Sequence, residues 1–264
     1  MIRIGVRSFV AGGGPSNDAD AQAFIDAAGI TDATQQSAIN TLVTDLKGYS
    51  IWTKMKAIYP FVGGSATTHK WNLKDPRDLD AAFRLVFTGG WTHSSNGATP
   101  NGTNGYADTY LTPSTTLSQN SSHLSYYSRT NASTNSAEIG SVANNGSSGI
   151  YLIYSYSGNA FKSFNSAQTQ RGSVFTPTTS LLIGSRINGT NEKYYQAGVL
   201  KDNLSVNSVS PINRSIWIGN TNVTTNWSTK QCAFASIGDG LTDTEASNLY
   251  TAVQAYQTTL SRNV

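Results

Sequence analysis

The spacing of apolar residues changes once along this chain, and the change separates its elements. From 18 to 47 the spacing is three and four: Ala21, Phe24, Ile25 and Ala28 form one stripe, Ile39, Leu42, Val43 and Leu46 a second. Such stripes mark helices with one buried face. Asn17 and Asp18 are placed to cap the first helix and Gly29 to end it. Thr31 or Asp32 caps the second, and Gly48 supplies the left-handed residue that stops it. From Tyr49 the period becomes two. Ten short strands are expected, at 56–62, 82–88, 106–111, 123–129, 137–142, 150–156, 180–186, 194–200, 215–219 and 231–237. No helical pattern lies between them to make parallel crossovers, so they pair as an antiparallel sandwich. Another short strand is expected at 2–10, ended by Gly12-Gly13-Gly14-Pro15. Ile150, Leu152, Tyr154 and Tyr156 face one way and Tyr151, Ile153 and Ser155 the other, which makes that ribbon central to a sheet. The stretch from Thr92 to Ala107 holds Asn96-Gly97, Asn101-Gly102 and Asn104-Gly105, and reads as a binding-type loop at one end of the sandwich.

The end of the chain is the most specific pattern. An apolar strand, Cys232 to Ile237, leads through Gly238-Asp239-Gly240 into Leu241-Thr242-Asp243-Thr244-Glu245. Thr242 and Glu245 have capping-box spacing, in which each side chain satisfies a free backbone donor of a helix start. Ala246, Leu249, Tyr250, Val253 and Tyr256 continue the helix on one apolar face. A last strand running into a closing helix through this turn resembles the end of laminin-G-like, concanavalin A-like jelly rolls. The expected fold is therefore mainly β, an antiparallel concanavalin A-like jelly-roll sandwich with a short N-terminal helical segment and a C-terminal helix. Residues 1–48 form the arm and helical pair, which pack on the sandwich or dock onto a partner, and 49–264 form the sandwich.

Composition supports this division. Ser, Thr and Asn supply 33, 31 and 23 of the 264 residues, against 33 charged ones, so the surface is mostly neutral and hydrogen-bonding. These residue types compete with helical backbone bonds and favour turns and strand surfaces. The net charge of +3 is evenly spread, and between Leu85 and Phe161 only Asp108, Arg129 and Glu138 are charged. No basic stripe is present to displace counterions, so nucleic acid is not an expected partner. Nor is there an apolar run long enough for membrane insertion or for a secretion signal at Met1 to Val10. Cys232 is the single cysteine, expected as a buried thiol.

Catalytic patterns are sparse. Glucanases on the jelly roll carry Glu-x-Asp-x-x-Glu on one strand, which this sequence lacks. Its glutamates are Glu138, Glu192 and Glu245, the last assigned to the cap. Hydrolysis needs two carboxylates about 5–9 Å apart, and only a meeting of Glu138 with Glu192 or Asp108 in space would supply them. Asp75, Asp78 and Asp80 match no calcium loop and read as turn residues paired with Arg77 or Lys74. His69, His93 and His123 have no zinc spacing. The expectation is a protein without catalytic residues, metal or cofactor. Of Trp52, Trp71, Trp91, Trp217 and Trp227, most belong in the core, and Trp91, bordering the Gly/Asn loop, is the best candidate to meet a ligand, followed by Tyr106, Tyr126 and Tyr127.

A second resemblance spans more of the chain. Ser65-Ala66-Thr67-Thr68-His69-Lys70-Trp71-Asn72-Leu73-Lys74-Asp75-Pro76-Arg77, then Ala82-Phe83-Arg84-Leu85 and Gly89-Gly90-Trp91-Thr92-His93-Ser94-Ser95-Asn96-Gly97, is similar to a segment of structural proteins of tailed bacteriophages, particularly those of Bacteroidetes hosts. The resemblance implies a non-enzymatic virion component: a fibre, spike or capsid-decoration subunit, a homo-oligomer touching other virion proteins and in some cases a host-surface glycan. A free-standing carbohydrate-binding adhesion module is the alternative, and a polysaccharide-degrading glycosidase the third reading.

Overall fold

The computed structural model describes residues 16–156, 159–167 and 175–264, with backbone alone at 154–156 and 159–162. The strand expected at 2–10 lies outside the described residues. Two helices lead, α1 (Ala19–Ala28) and α2 (Ala33–Gly48). The Asp18 carboxylate accepts from the Asp20 amide, Gly29 ends α1 at φ 65°, and Asp32 caps α2. The expected stop at Gly48 is corrected: Gly48 is the last helical residue, and Ser50 takes the left-handed turn at φ 60°. The turn comes later because Ile51, fully buried, bonds back from its amide to Leu46 O at 2.9 Å.

The chain continues through β1 (Met55–Tyr59), the one-turn α3 (Ala66–His69), β2 (Val86–Thr88), β3 (Trp91–Ser94), β4 (Gly97–Pro100), β5 (Tyr106–Asp108), the one-turn α4 (Pro113–Thr116), β6 (Ser122–Ser128), β7 (Ile139–Val142), β8 (Ser148–Tyr156) and β9 (Asn159–Ala167). It ends with β10 (Ser180–Arg186), β11 (Asn191–Gln196), β12 (Val199–Ser205), β13 (Trp217–Ile218), β14 (Cys232–Gly238) and α5 (Asp243–Thr259). Among the described residues these strands make two antiparallel sheets. One has the order β12-β11-β10-β6-β14-β4-β3, with β1 also paired to β14; the other has the order β2-β5-β13-β7-β8-β9.

Alternation along the strands builds three layers. On β6, Leu124 and Tyr126 point between the sheets and Tyr127 points outward; on β10, Leu182 points in while Leu181 and Ile183 point out. From the six-stranded sheet, Ala107, Ile139, Ile150, Leu152, Phe164 and Ile218 close the inter-sheet core. Each of the larger ones, Ala107 aside, contributes about 1.5–3 kcal/mol by leaving water. The outward residues of the larger sheet are covered by α1, α2 and α5, whose Phe24, Leu42, Leu46, Leu249 and Val253 share one cluster with Tyr127, Leu181 and Ile183. The helical pair therefore packs on the sandwich, beside the closing helix. That helix begins at the expected capping box, with Thr242 Oγ1 and the Glu245 carboxylate each accepting the other residue's amide. Lys54 adds an ion pair to Glu245 at 2.6 Å.

Two strand expectations and one loop expectation are corrected. The span 194–200 is a hairpin, because Ala197 (φ 50°) and Gly198 (φ 74°) reverse the chain between β11 and β12. The front of the expected loop from Thr92 to Ala107 is the hairpin β3–β4, with His93 opposite Ala98 and the turn at Ser95-Asn96; 101–105 alone is loop. In 82–88 only Val86–Thr88 is strand, since Phe83 sits at φ 58°. The ribbon β8 lies one strand in from an edge, with Ile150 and Leu152 inward and Tyr151 and Ile153 outward, as the alternation requires.

Candidate functional site

Among the described residues no helix covers the outer face of the smaller sheet, and a cleft forms there. Strand register accounts for it. Trp217 lies opposite Asp108 on one side and Gly140 on the other, and Gly140 lies opposite Tyr151. This row faces outward, and the place a side chain would take at Gly140 is filled by Tyr151, which packs directly on the β7 backbone. A Cβ at Gly140 would sit 2.3 Å from Tyr151 Cβ, and its φ of 148° is one that L side chains rarely adopt. Val142, Tyr151 and Ile153 make an apolar floor.

The segment from Gly219 to Ser228 folds back over this floor. Its neck is closed by Ser228 N donating to Gly219 O at 2.9 Å. It is laced to β7 and the two residues before it by Gly219 N to Glu138 O (2.7 Å), Val142 N to Thr221 O (3.1 Å) and Ala137 N to Asn226 O (2.9 Å). Asn220 holds its interior, accepting from Val223 N and donating to Thr225 O, both at 2.8 Å. Asn222 and Asn226 take positive φ, 60° and 61°, which asparagine tolerates better than most residues. The cleft so enclosed has a volume of about 770 Å³, within the range of small-ligand sites. Trp217 and Trp227 line it, with Asn144, Asn222, Asn226 and threonines 221, 224 and 225 on the rim.

Among the described residues lining the cleft, Arg214 is the single charged one, and none is Asp, Glu or His. Its guanidinium is fixed by Nη1 donating to Val142 O at 3.0 Å and Nη2 to Asn222 Oδ1 at 2.7 Å. Tyr106 stacks on Trp217 with centroids 3.7 Å apart and planes 12° from parallel, and its ring lies 6.2 Å from that of Trp227. The Trp217 indole donates to Ser215 Oγ (3.2 Å), which donates to Asp108 (3.1 Å). The aromatic group is thus held rigid by stacking and by hydrogen bonds on its far side.

The residues expected from sequence separate into three environments. Tyr106 belongs to the cleft's aromatic group. Trp91 is half-buried; its indole donates to Tyr106 O at 3.2 Å and its ring meets Phe87 edge-on, so it props the β5 end of that group. Tyr126 and Tyr127 are withdrawn as ligand contacts, because both are fully buried. Tyr126 points between the sheets and donates to Lys230 O; Tyr127 lies under α5 and donates to Gln254 Oε1. Alternation on β6 sends one to each core and neither to solvent. Trp52 and Trp71 pack with the helical layer, beneath Lys74 and Lys70 respectively. Trp217, Trp227 and Arg214 are the residues that sequence reasoning did not single out. Their signal is Asn220-Thr221-Asn222-Val223-Thr224-Thr225-Asn226, an amide-rich run with a tryptophan on either side.

The acidic candidates are accounted for elsewhere. Glu192 is fully buried on Arg186 at 2.8 Å and also accepts from Tyr194 Oη. Glu138, also buried, accepts from Ser136 Oγ and lies near the Lys230 ammonium, whose pKa burial holds below its ordinary value against the pull of that carboxylate. Asp75 pairs with Arg77, Asp78 with Lys70 and Arg84, and Asp80 with Arg84. Lys74 stacks on Trp52 instead. Burial pushes the Cys232 thiol pKa far up, so it stays protonated. Among the described residues, no helix is long and apolar enough to cross a membrane.

No protein-family model matches this sequence, and a search of curated proteins finds no match. The fold does match solved structures. Domain 4 of an extracellular arabinanase from Geobacillus stearothermophilus, solved in complex with arabinotriose, is similar with a TM-score of 0.50 and 16% identity, over 74% of this chain and 98% of that one. A Trypanosoma rangeli sialidase is similar with a TM-score of 0.54 and 11% identity, over 81% of this chain but 39% of the sialidase chain. These likenesses establish an antiparallel jelly-roll β-sandwich.

Proposed function

We propose that this chain is a non-enzymatic adhesion subunit of a phage particle, whose sandwich holds a host-surface glycan in the Trp217–Trp227 cleft. The observation that carries the binding role is the cleft itself: aromatic walls, an amide- and hydroxyl-rich rim, and no carboxylate among its described lining residues. Sugar rings present an apolar face and a polar edge, and stacked aromatics with fixed amides complement both. The arabinanase domain with arabinotriose bound is a jelly roll of the same kind, which makes the scaffold a suitable one. The non-enzymatic reading is supported by the placement of Glu138 and Glu192, each buried in its own polar network away from water. The particle setting, with other virion proteins and further copies of the chain as neighbours, is supported by the resemblance of the segment from Ser65 to Gly97.

Two measurements test these parts separately. On a glycan array the wild-type chain is expected to bind a restricted set of saccharides, and Trp227→Ala to weaken that binding by about tenfold, the upper end of the about 0.5–1.5 kcal/mol that a stacked aromatic ring contributes. Trp91→Ala is expected to act less, since Trp91 does not line the cleft and supports it from behind, through Tyr106 O and beside Gly219. Equal binding by wild type and Trp227→Ala would remove the cleft as the site. Mass spectrometry of purified particles is expected to find the chain as a stoichiometric component, and its absence would sink the particle role.

A further inference from the structure

We infer that the cleft selects an acidic saccharide, one whose ring carries a carboxylate, and that Arg214 reads that group. This rests on the glycan reading above and specifies its ligand. The cleft's described lining holds one cation and no anion, so its local field favours negative charge. Asp108, behind Trp217, is taken up by the Tyr110 amide and the Ser215 hydroxyl and does not line the cleft.

Geometry makes Arg214 a reader rather than a tether. Two of its contacts, to Val142 O and Asn222 Oδ1, are to neutral acceptors. They orient the guanidinium without neutralising it, and they use two of the five N–H groups an arginine carries. The remaining donors lie in a plane fixed in advance, the arrangement that suits two-point recognition of a carboxylate. Tyr106 covers one face of the Trp217 ring, which leaves its other face to meet a sugar. A pyranose or furanose ring against Trp217 and Trp227, with its carboxylate toward Arg214, satisfies both features of the cleft at once. A neutral sugar satisfies the aromatic part alone.

The test compares tri-galacturonate with a neutral trisaccharide by titration calorimetry against wild type, Arg214→Gln, Thr224→Asp and Trp227→Ala. Wild type is expected to bind the acidic ligand roughly tenfold or more tightly than the neutral one, with the advantage shrinking as salt rises. Arg214→Gln should abolish the preference. Because that substitution also touches the Asn222 anchor, Thr224→Asp serves as the second variant. Thr224 is exposed on the cleft rim, so a new carboxylate there leaves the fold alone and should weaken the acidic ligand selectively. Trp227→Ala should weaken both ligands. Equal affinity for the two saccharides in wild type, or a preference unchanged in both Arg214→Gln and Thr224→Asp, overturns the inference while leaving the glycan reading standing. Binding of neither saccharide to wild type, on the array or here, overturns both.

Discussion

Glu192→Leu is expected to lower the unfolding free energy by about 3–5 kcal/mol, the usual cost of stranding a buried charge. Arg186 and Glu192 have side chains with no exposure, facing each other from neighbouring strands β10 and β11. Without the carboxylate, the Arg186 guanidinium keeps only carbonyl partners: Phe164 O at 2.6 Å, Val206 O at 3.0 Å and Asn188 O at 3.1 Å. Those bonds satisfy its donors but do not offset its charge. The Tyr194 hydroxyl loses its acceptor as well. Urea denaturation measures the loss directly. Adding Arg186→Met should recover part of it, since removing both charges avoids the stranded one. A Glu192→Leu protein that kept wild-type stability but lost a hydrolytic activity would restore Glu192 as a catalyst.

The position of Glu192 shows where sequence reasoning reached its limit. Its neighbour on β10 is a cross-strand partner six residues away, yet nothing in a string of letters says that β11 turns both side chains inward. Local rules fared better. The Thr242–Glu245 cap, the Gly29 stop and the two helical stripes depend on residues within one or two turns, and they are found where expected. Register is the physical reason for the misses. A hairpin at Ala197-Gly198 and a second at Ser95-Asn96 each split a span that composition left continuous. A one-residue difference in pairing decides whether a tyrosine on β6 enters the inter-sheet core or the core beneath the helices.

The cleft follows the same logic. Tyr106 was legible because it adjoins a glycine-asparagine loop. The Trp217–Gly140–Tyr151 row was not, because it joins β13 to a β7–β8 pair far from it in sequence. The loop that covers it is polar and unremarkable as composition; its meaning comes from folding back onto an apolar floor.

Acid should destabilise this protein before its carboxylates protonate. Burial lowers the His69 pKa to about 3, helped by the nearby His93 and Arg262, and lowers the His123 pKa to about 4 against the opposing pull of the Asp239 carbonyl. His123 has no exposure and His69 about 1%. The His123 Nδ1–H donates to Asp239 O at 2.6 Å, which leaves Nε2 to accept from Ser236 Oγ at 3.1 Å, so the neutral ring is fully used. His69 and His93 meet Nδ1 to Nδ1 at 2.9 Å, a contact that needs one donor and one acceptor and fails when both rings are protonated. In the unfolded chain each ring takes a proton near pH 6.5, whereas His69 and His123 in the folded chain do so only near 3 and 4. Because these folded pKa values lie below the unfolded one, their contribution is complete above pH 6.5 and falls away as pH drops toward 4. The slope is roughly 1.4 kcal/mol per pH unit for each of the two rings, so about 4 kcal/mol is lost by pH 5. The carboxylates whose pKa values lie below normal, among them Asp75, Asp78 and Asp243, add their loss only at lower pH, so the range from 6.5 to 5 isolates the histidines. Thermal denaturation across that range should show a steep fall in Tm, with a shallower slope in His123→Asn, which removes one titrating ring and leaves His69 and His93, whose pKa burial also lowers. A Tm that stays flat from pH 7.5 to 5 would show that these rings exchange protons with water as freely folded as unfolded.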